Sequence, residues 1–376
     1  MLYKLIFLTL TFLLILTLSS CDRSGKLREE GHRLYREGKY EESLKFYDKA
    51  LGISPEDWKS LAGKGEVLRH SGKYKESLVC YDKALEINSM DNRSWYGKGE
   101  ALYSLGQYSI ALICYEKAIE VNHRDSNAWY GKGEALSKMN NYEDALIAYG
   151  EAVKIDPYDS KAWYGKGESL SKSENYKEAV RAYDRAIEIN SKDIKSLYSK
   201  GEALSNLDNY EEAVKCYDSV LEIDPKDIKS WCGRGKALAF QGKRDEALKS
   251  ADKATWINPK DVNVWYNKGL ILVILKNYKE AIKSWDRAIE IDPKKKEVWH
   301  SRGWALENLG KTGEAMKCYD EAIEIDGKDI IAWHSRALLL NKTEKYEESL
   351  KSWGKSIEID PKDTCAWYNM GLIFEK

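Results

Sequence analysis

The residues able to do chemistry are mostly repeated in register. The chain has five histidines and seven cysteines. His300 and His334 suggest a metal pair, yet they hold the same place in adjacent copies of one 34-residue cycle, too far apart to share an ion. Cys80, Cys114, Cys216 and Cys318 also share one slot, which other copies fill with Ala148, Ala182, Ser250 or Ser284. Equivalent slots in stacked helical pairs lie about 10 Å apart, beyond the ~7 Å Cα limit for a disulfide. These thiols therefore read as small core fillers. Glu41 and Glu42 are consecutive, so on a helix they point about 100° apart and read as favourable charges at a helix start. The chain has no Gly-rich phosphate loop, metal-spaced Cys/His set or nucleophile elbow. The expectation is no catalytic residue, no metal and no cofactor.

The cycle itself must position these side chains. Repeats 1 to 10 run without insertion over residues 24–57, 58–91, 92–125, 126–159, 160–193, 194–227, 228–261, 262–295, 296–329 and 330–363, with a partial eleventh over 364–376. Repeat 3 reads Trp95, Gly99, Leu102, then Tyr108, Ala111, Tyr115, Ala118; repeat 4 reads Trp129, Gly133, Leu136, then Tyr142, Ala145, Tyr149, Ala152. Steps of three and four place each half on one helical face, and the breaks Leu105-Gly106-Gln107 and Met139-Asn140-Asn141 are turns. Each repeat is thus expected to be a helical hairpin in one continuous domain. The large ring at position 4 is expected to fill the gap left by Gly99 and Ala111, or by Gly133 and Ala145. Pro55, Pro157, Pro225, Pro259, Pro293 and Pro361 are expected to start the next helix. In repeat 7 the usual aromatics become Arg244 and Ala251. Trp256 is expected to refill part of that space, and the repeat is a candidate joint.

These residues resemble the tetratricopeptide repeat over residues 24 to 363. The resemblance implies an all-α fold, a right-handed α-solenoid (superhelix) of ten hairpins plus a C-terminal helix. It further implies a concave groove, lined by positions 2, 5, 9, 12 and 13 of each first helix, that holds a protein or peptide. Carried onto this chain, positions 5 and 9 give Tyr96 and Glu100, Tyr130 and Glu134, Tyr164 and Glu168, and Tyr198 and Glu202. From repeat 8 the lining becomes Tyr266, Leu270, Ile274, Trp304 and Leu338. Such an apolar strip marks an interaction site, with Trp304 beside Leu338 as the expected anchor. The competing reading is that the tyrosines pack between hairpins and the charged columns pair along a solvated face. Some family members grip a C-terminal carboxylate with Lys and Asn at positions 5 and 9; Tyr and Glu stand there in repeats 3 to 6, so that clamp is not expected.

Residues 1–20 carry Lys4, an apolar run from Leu5 to Leu18, then Ser19-Ser20 and Cys21, and read as an export signal. Leu18-Ser19-Ser20-Cys21 resembles a prokaryotic lipobox, which implies acylation at Cys21 and a short tether over 21–23. The alternative is an uncleaved membrane helix, because Leu2–Leu18 just reaches the roughly 17–25 residues that span a bilayer. Either anchor places the repeats outside the cytoplasm, at the cell envelope or surface. Lys and Arg total 60 against 61 Asp and Glu, which gives no general attraction to nucleic acid. The last helix carries Trp367, Tyr368, Met370, Leu372, Ile373 and Phe374, more apolar than a terminal cap should be, and that end is available for a homodimer. The leading expectation is a membrane-anchored scaffold binding a protein or extended peptide. The alternative is a carbohydrate-binding surface built on the tyrosine column.

Overall fold

The computed structural model describes residues 23–375; the leader at 1–20 and Cys21 lie outside the described residues. Twenty-one helices and no strand occur among them. The chain divides into two compact units, 1–191 and 192–376. The first contains α1 (23–36), α2 (Tyr40–Ile53), α3 (Trp58–His70), α4 (Tyr74–Ile87), α5 (Asn92–Ser104), α6 (Tyr108–Val121), α7 (Ser126–Lys138), α8 (Tyr142–Ile155), α9 (Ser160–Lys172) and α10 (Tyr176–Ile189). The second contains α11 (Ile194–Asn206), α12 (Tyr210–Ile223), α13 (Ile228–Phe240), α14 (Arg244–Ile257), α15 (Val262–Ile274), α16 (Tyr278–Ile291), α17 (Lys296–Asn308), α18 (Thr312–Ile325), α19 (Ile330–Lys342), α20 (Tyr346–Ile359) and α21 (Thr364–Phe374). Within each unit, successive helices pack pairwise as an α-solenoid of hairpins. No described helix is long and apolar enough to cross a membrane.

The core ring is not the one expected from position 4. Trp95, Trp129 and Trp163 are only half-buried. The second-helix tyrosines Tyr115, Tyr149 and Tyr183 are the buried wedges. A Cβ on Gly133 would lie 2.7 Å from the Tyr149 ring, and one on Gly165, in the next hairpin, 2.5 Å from it. Tyr115 and Tyr149 therefore each occupy a slot made by a glycine of their own repeat and a glycine of the following one, whereas Tyr183 faces Gly167 of its own repeat and the following repeat has Ser199. The helices tolerate those glycines, at about 1 kcal/mol each, because the ring needs the space.

The tryptophans latch the turns between repeats. Trp163 Nε1 donates to Pro157 O at 3.0 Å, and Trp231 does the same to Pro225 O at 3.0 Å. The prolines do not begin helices, contrary to expectation. Pro157 sits in the turn closed by Asp159 N donating to Asp156 O, where its fixed φ suits the second position. Helix α9 is started instead by Asp159, whose Oδ1 accepts from the Lys161 and Ala162 amides, a standard N-cap. Within hairpins, one turn residue takes positive φ: glycine at Gly106 (75°), but Asn140 (60°), Glu174 (59°) and Lys276 (56°) elsewhere.

Repeat 7 also differs from expectation. Trp256 is 73% exposed, because it stands on the outer helical face where other repeats carry Glu222 or Glu290. The gap left by Ala251 is filled from the next repeat by Ile271, fully buried against Leu238, Ala239, Ala247 and Leu275. Arg244 donates to Leu275 O at 2.7 Å and ties the same two repeats. Asn267 then stands where other repeats have glycine, opposite a repeat without a core ring. In α21, Trp367, Tyr368 and Phe374 are exposed.

Candidate functional site

In the first unit, α5, α7 and α9 each carry the groove pair of tyrosine and glutamate four residues apart, on one face. The glutamates serve the core rings. Tyr115 OH donates to Glu100 Oε1 at 2.7 Å, Tyr149 OH to Glu134 Oε1 at 2.6 Å, and Tyr183 OH to Glu168 Oε1 at 2.9 Å. Glu134 accepts a second bond from Tyr103 OH at 3.2 Å. Burial, with the facing carboxylate, pushes these three phenols well above the ordinary tyrosine range. Tyr96, Tyr130 and Tyr164 rest on the same wedges, with ring centroids 6.1, 5.9 and 6.0 Å apart. Much of this ladder therefore satisfies buried hydroxyls and packs between hairpins.

In the second unit the apolar strip is uneven. Leu270 and Tyr266 pack against the core around Trp285, and Ile274 packs against the cluster holding Ile271. Trp304 and Leu338 remain open, 42% and 47% exposed, and Trp304 meets Tyr278 edge-on at 5.8 Å.

A cleft of about 1150 Å³ opens between α11, α13 and α15. Its wall comes from the groove positions: Tyr198 and Glu202 on α11, Cys232, Lys236 and Phe240 on α13, and Asn263 on α15. Two changes from the usual cycle create it. Cys232 stands where Tyr96, Tyr130, Tyr164 and Tyr198 stand, which removes a ring. Lys236 stands where Glu100, Glu134, Glu168 and Glu202 stand, which inverts the charge. Half-buried Lys236 has no ion pair or hydrogen bond among the described residues, and burial lowers its pKa from the ordinary lysine value. Burial also pushes the Cys232 thiol up to about 11, so it is protonated at neutral pH. Phe240 stacks on Tyr210 at 4.8 Å and 10°, and stays 55% exposed. Of the expected site residues, Tyr198 and Glu202 line this cleft, whereas Tyr266, Leu270, Ile274, Trp304 and Leu338 do not. Lys236 is not among the residues expected from the sequence, where only the sign change along position 9 signals it.

The histidines have other partners. His334 Nε2 lies 2.6 Å from Asp363 Oδ2 and 2.8 Å from Ser356 Oγ, and His300 Nε2 lies 2.9 Å from Ser335 Oγ. Cys80, Cys114, Cys216, Cys232 and Cys318 are buried free thiols and Cys365 is exposed. No group of three or more His, Cys, Asp or Glu able to hold a metal occurs among the described residues.

Tetratricopeptide repeat models match residues 160–193, 194–227 and 262–295, residues 296–329 and 330–363, and residues 28–93. A model described as anaphase-promoting complex, cyclosome, subunit 3 matches residues 70–152. None of the curated proteins compared with the chain matches it. Among solved structures, PilF of Pseudomonas aeruginosa is 17% identical, covering 56% of this chain and 96% of its own, with a TM-score of 0.52. YrrB, described as a TPR protein with an unusual peptide-binding site, is 28% identical and covers 50% of this chain and 97% of its own at a TM-score of 0.42. Yeast Tom70 is 16% identical and covers 94% of both chains at 0.45. Five of the matched segments coincide with repeats 5, 6, 8, 9 and 10, and the chain belongs to the tetratricopeptide repeat family.

Proposed function

We propose that this protein is a binding scaffold, not an enzyme, and that it holds an extended segment of another protein against its first helices. The observation that carries this reading is the cleft between α11, α13 and α15, walled by side chains from three successive repeats. An extended strand advances about 3.3 Å per residue, so a segment of a few residues suits such a wall. The carbohydrate alternative needs free ring faces for stacking. Tyr96, Tyr130 and Tyr164 are half-buried and pack on Tyr115, Tyr149 and Tyr183, which weakens it. A photo-crosslinking residue at Phe240 should capture one discrete protein in cells, whereas one at Glu222, on the outer face, should not. Equal capture at both positions, or saccharide in place of protein, would overturn the scaffold reading.

The same proposal places the scaffold outside the cytoplasm on a lipid at Cys21, supported by the Leu18-Ser19-Ser20-Cys21 stretch after an apolar run. Metabolic labelling with palmitate should mark the wild type and not Cys21→Ser. A wild type that is unlabelled but remains with membranes supports the uncleaved helix instead. An unlabelled wild type in the soluble fraction defeats both.

A further inference from the structure

Lys236 and Phe240 lie four residues apart on α13, so they share a face and are separated by about 6 Å along the helix axis. In an extended peptide, side chains two residues apart point the same way and are about 6.6 Å apart. The two spacings match. Resting on the scaffold reading, we infer that the α11–α13–α15 cleft selects an extended segment bearing one carboxylate side chain and one apolar side chain two residues apart, the acid at Lys236 and the apolar group on Phe240.

The carboxylate assignment comes from what the other charges in the cleft are doing. Its wall and rim hold five acids against three lysines. The acids have local donors: Glu202 accepts from Tyr198 OH at 2.8 Å, Asp208 from Tyr210 OH at 2.6 Å, Asp224 from Lys226 N at 3.0 Å, Asp227 from Ser230 N at 2.7 Å and Asp261 from Asn263 N at 2.8 Å. Lys236 makes no hydrogen bond or ion pair among the described residues, and Glu202 exerts only a Coulombic pull on it that is smaller than the effect of burial. It is also half-buried, and a charge withdrawn from water gains most from an anion brought to it. Those same rim acids repel a run of carboxylates, so the cleft takes a single acid and rejects an acidic tract. The space beside the ammonium exists because Cys232 replaces a tyrosine. Phe240, already held flat against Tyr210, offers its free face to an aliphatic or aromatic side chain at little ordering cost.

The test uses the full-length chain in detergent and an array of twelve-residue degenerate peptides with fixed Glu-x-Leu, Leu-x-Glu, Gln-x-Leu, Lys-x-Leu or six consecutive Glu, each with a free and an amidated C-terminus. Wild type should retain one of the Glu/Leu orders about tenfold better than the Gln peptide, the scale of a charge-assisted hydrogen bond. It should retain it regardless of amidation and disfavour the Glu tract. Lys236→Gln should erase the preference. Lys236→Glu, which restores the residue that repeats 2 to 6 carry and so should fold, should shift it toward Lys-x-Leu. Phe240→Ala should weaken Glu-x-Leu and leave the Glu/Gln ratio intact. Peptide binding without Glu preference, a preference that survives Lys236→Gln, or one set only by the free C-terminus would overturn the inference while leaving the scaffold reading standing. No binding by wild type to any peptide would overturn both.

Discussion

Gly165 and Gly150 show at single-residue scale how packing and helix propensity compete. Alanine in place of glycine in a helix interior gains about 1 kcal/mol. At Gly165 the new methyl would lie 2.5 Å from the Tyr149 ring, and overpacking costs about 1–3 kcal/mol. At Gly150 nothing lies within 4 Å. Gly165→Ala is therefore expected to lower the thermal midpoint and Gly150→Ala to raise it. The tyrosine wedges also set a pH response. Tyr115, Tyr149 and Tyr183 have folded pKa values raised above 10.0 by burial, so their contribution is fully present below pH 10. Above that the unfolded chain releases protons the folded one keeps, and stability should fall by about 1.4 kcal/mol per pH unit for each tyrosine. Urea titrations between pH 8 and 11 check this; a flat profile would contradict it. The cycle shows Trp129 and Tyr149 equally well in sequence. Nothing in their spacing says that the indole bonds a turn carbonyl while the phenol fills the core.

At the scale of elements, the turns within hairpins were placed correctly by their polar breaks. The side chains there store some strain, because Lys276 takes a φ of 56° while its successor Asn277 closes the turn by donating to Leu272 O at 2.8 Å. Lys276→Gly should stabilise by about 0.5–1 kcal/mol, since glycine escapes the Cβ clash but loses some of the gain to unfolded-state entropy. Equilibrium unfolding measures this. The residues of repeat 7 taken alone, with the ring missing, suggest a loose joint. The filler lies 20 residues beyond Ala251, in α15, where no inspection of repeat 7 alone would find it. Ile271→Ala should cost about 2–5 kcal/mol and speed amide exchange in α13 and α14. Trp256→Ala should stay within about 0.5 kcal/mol. A more damaging Trp256→Ala would mean that Ile271 does not fill the gap at Ala251.

For the molecule as a whole, the array behaves as a chain of neighbours, each hairpin packing on the next within its unit. Tyr149→Ala should cost about 3–5 kcal/mol. In such an array the lost protection stays near the lesion, so hydrogen exchange should accelerate in repeats 4 and 5 and remain unchanged in repeat 9. Uniform acceleration would mean more cooperative unfolding than nearest-neighbour packing provides. The hairpins, their register and the family are legible in the sequence, because they follow from helical periodicity, caps and turns, which are interactions between residues a few positions apart. The position of the core wedge, the borrowing of Ile271 by repeat 7, the commitment of Glu100, Glu134 and Glu168 to buried phenols, and the absence of an ion pair or hydrogen bond at Lys236 among the described residues all needed the folded chain. These depend on contacts between helices, 12 to 35 residues apart, where distance and burial choose among side chains that the repeat makes look equivalent.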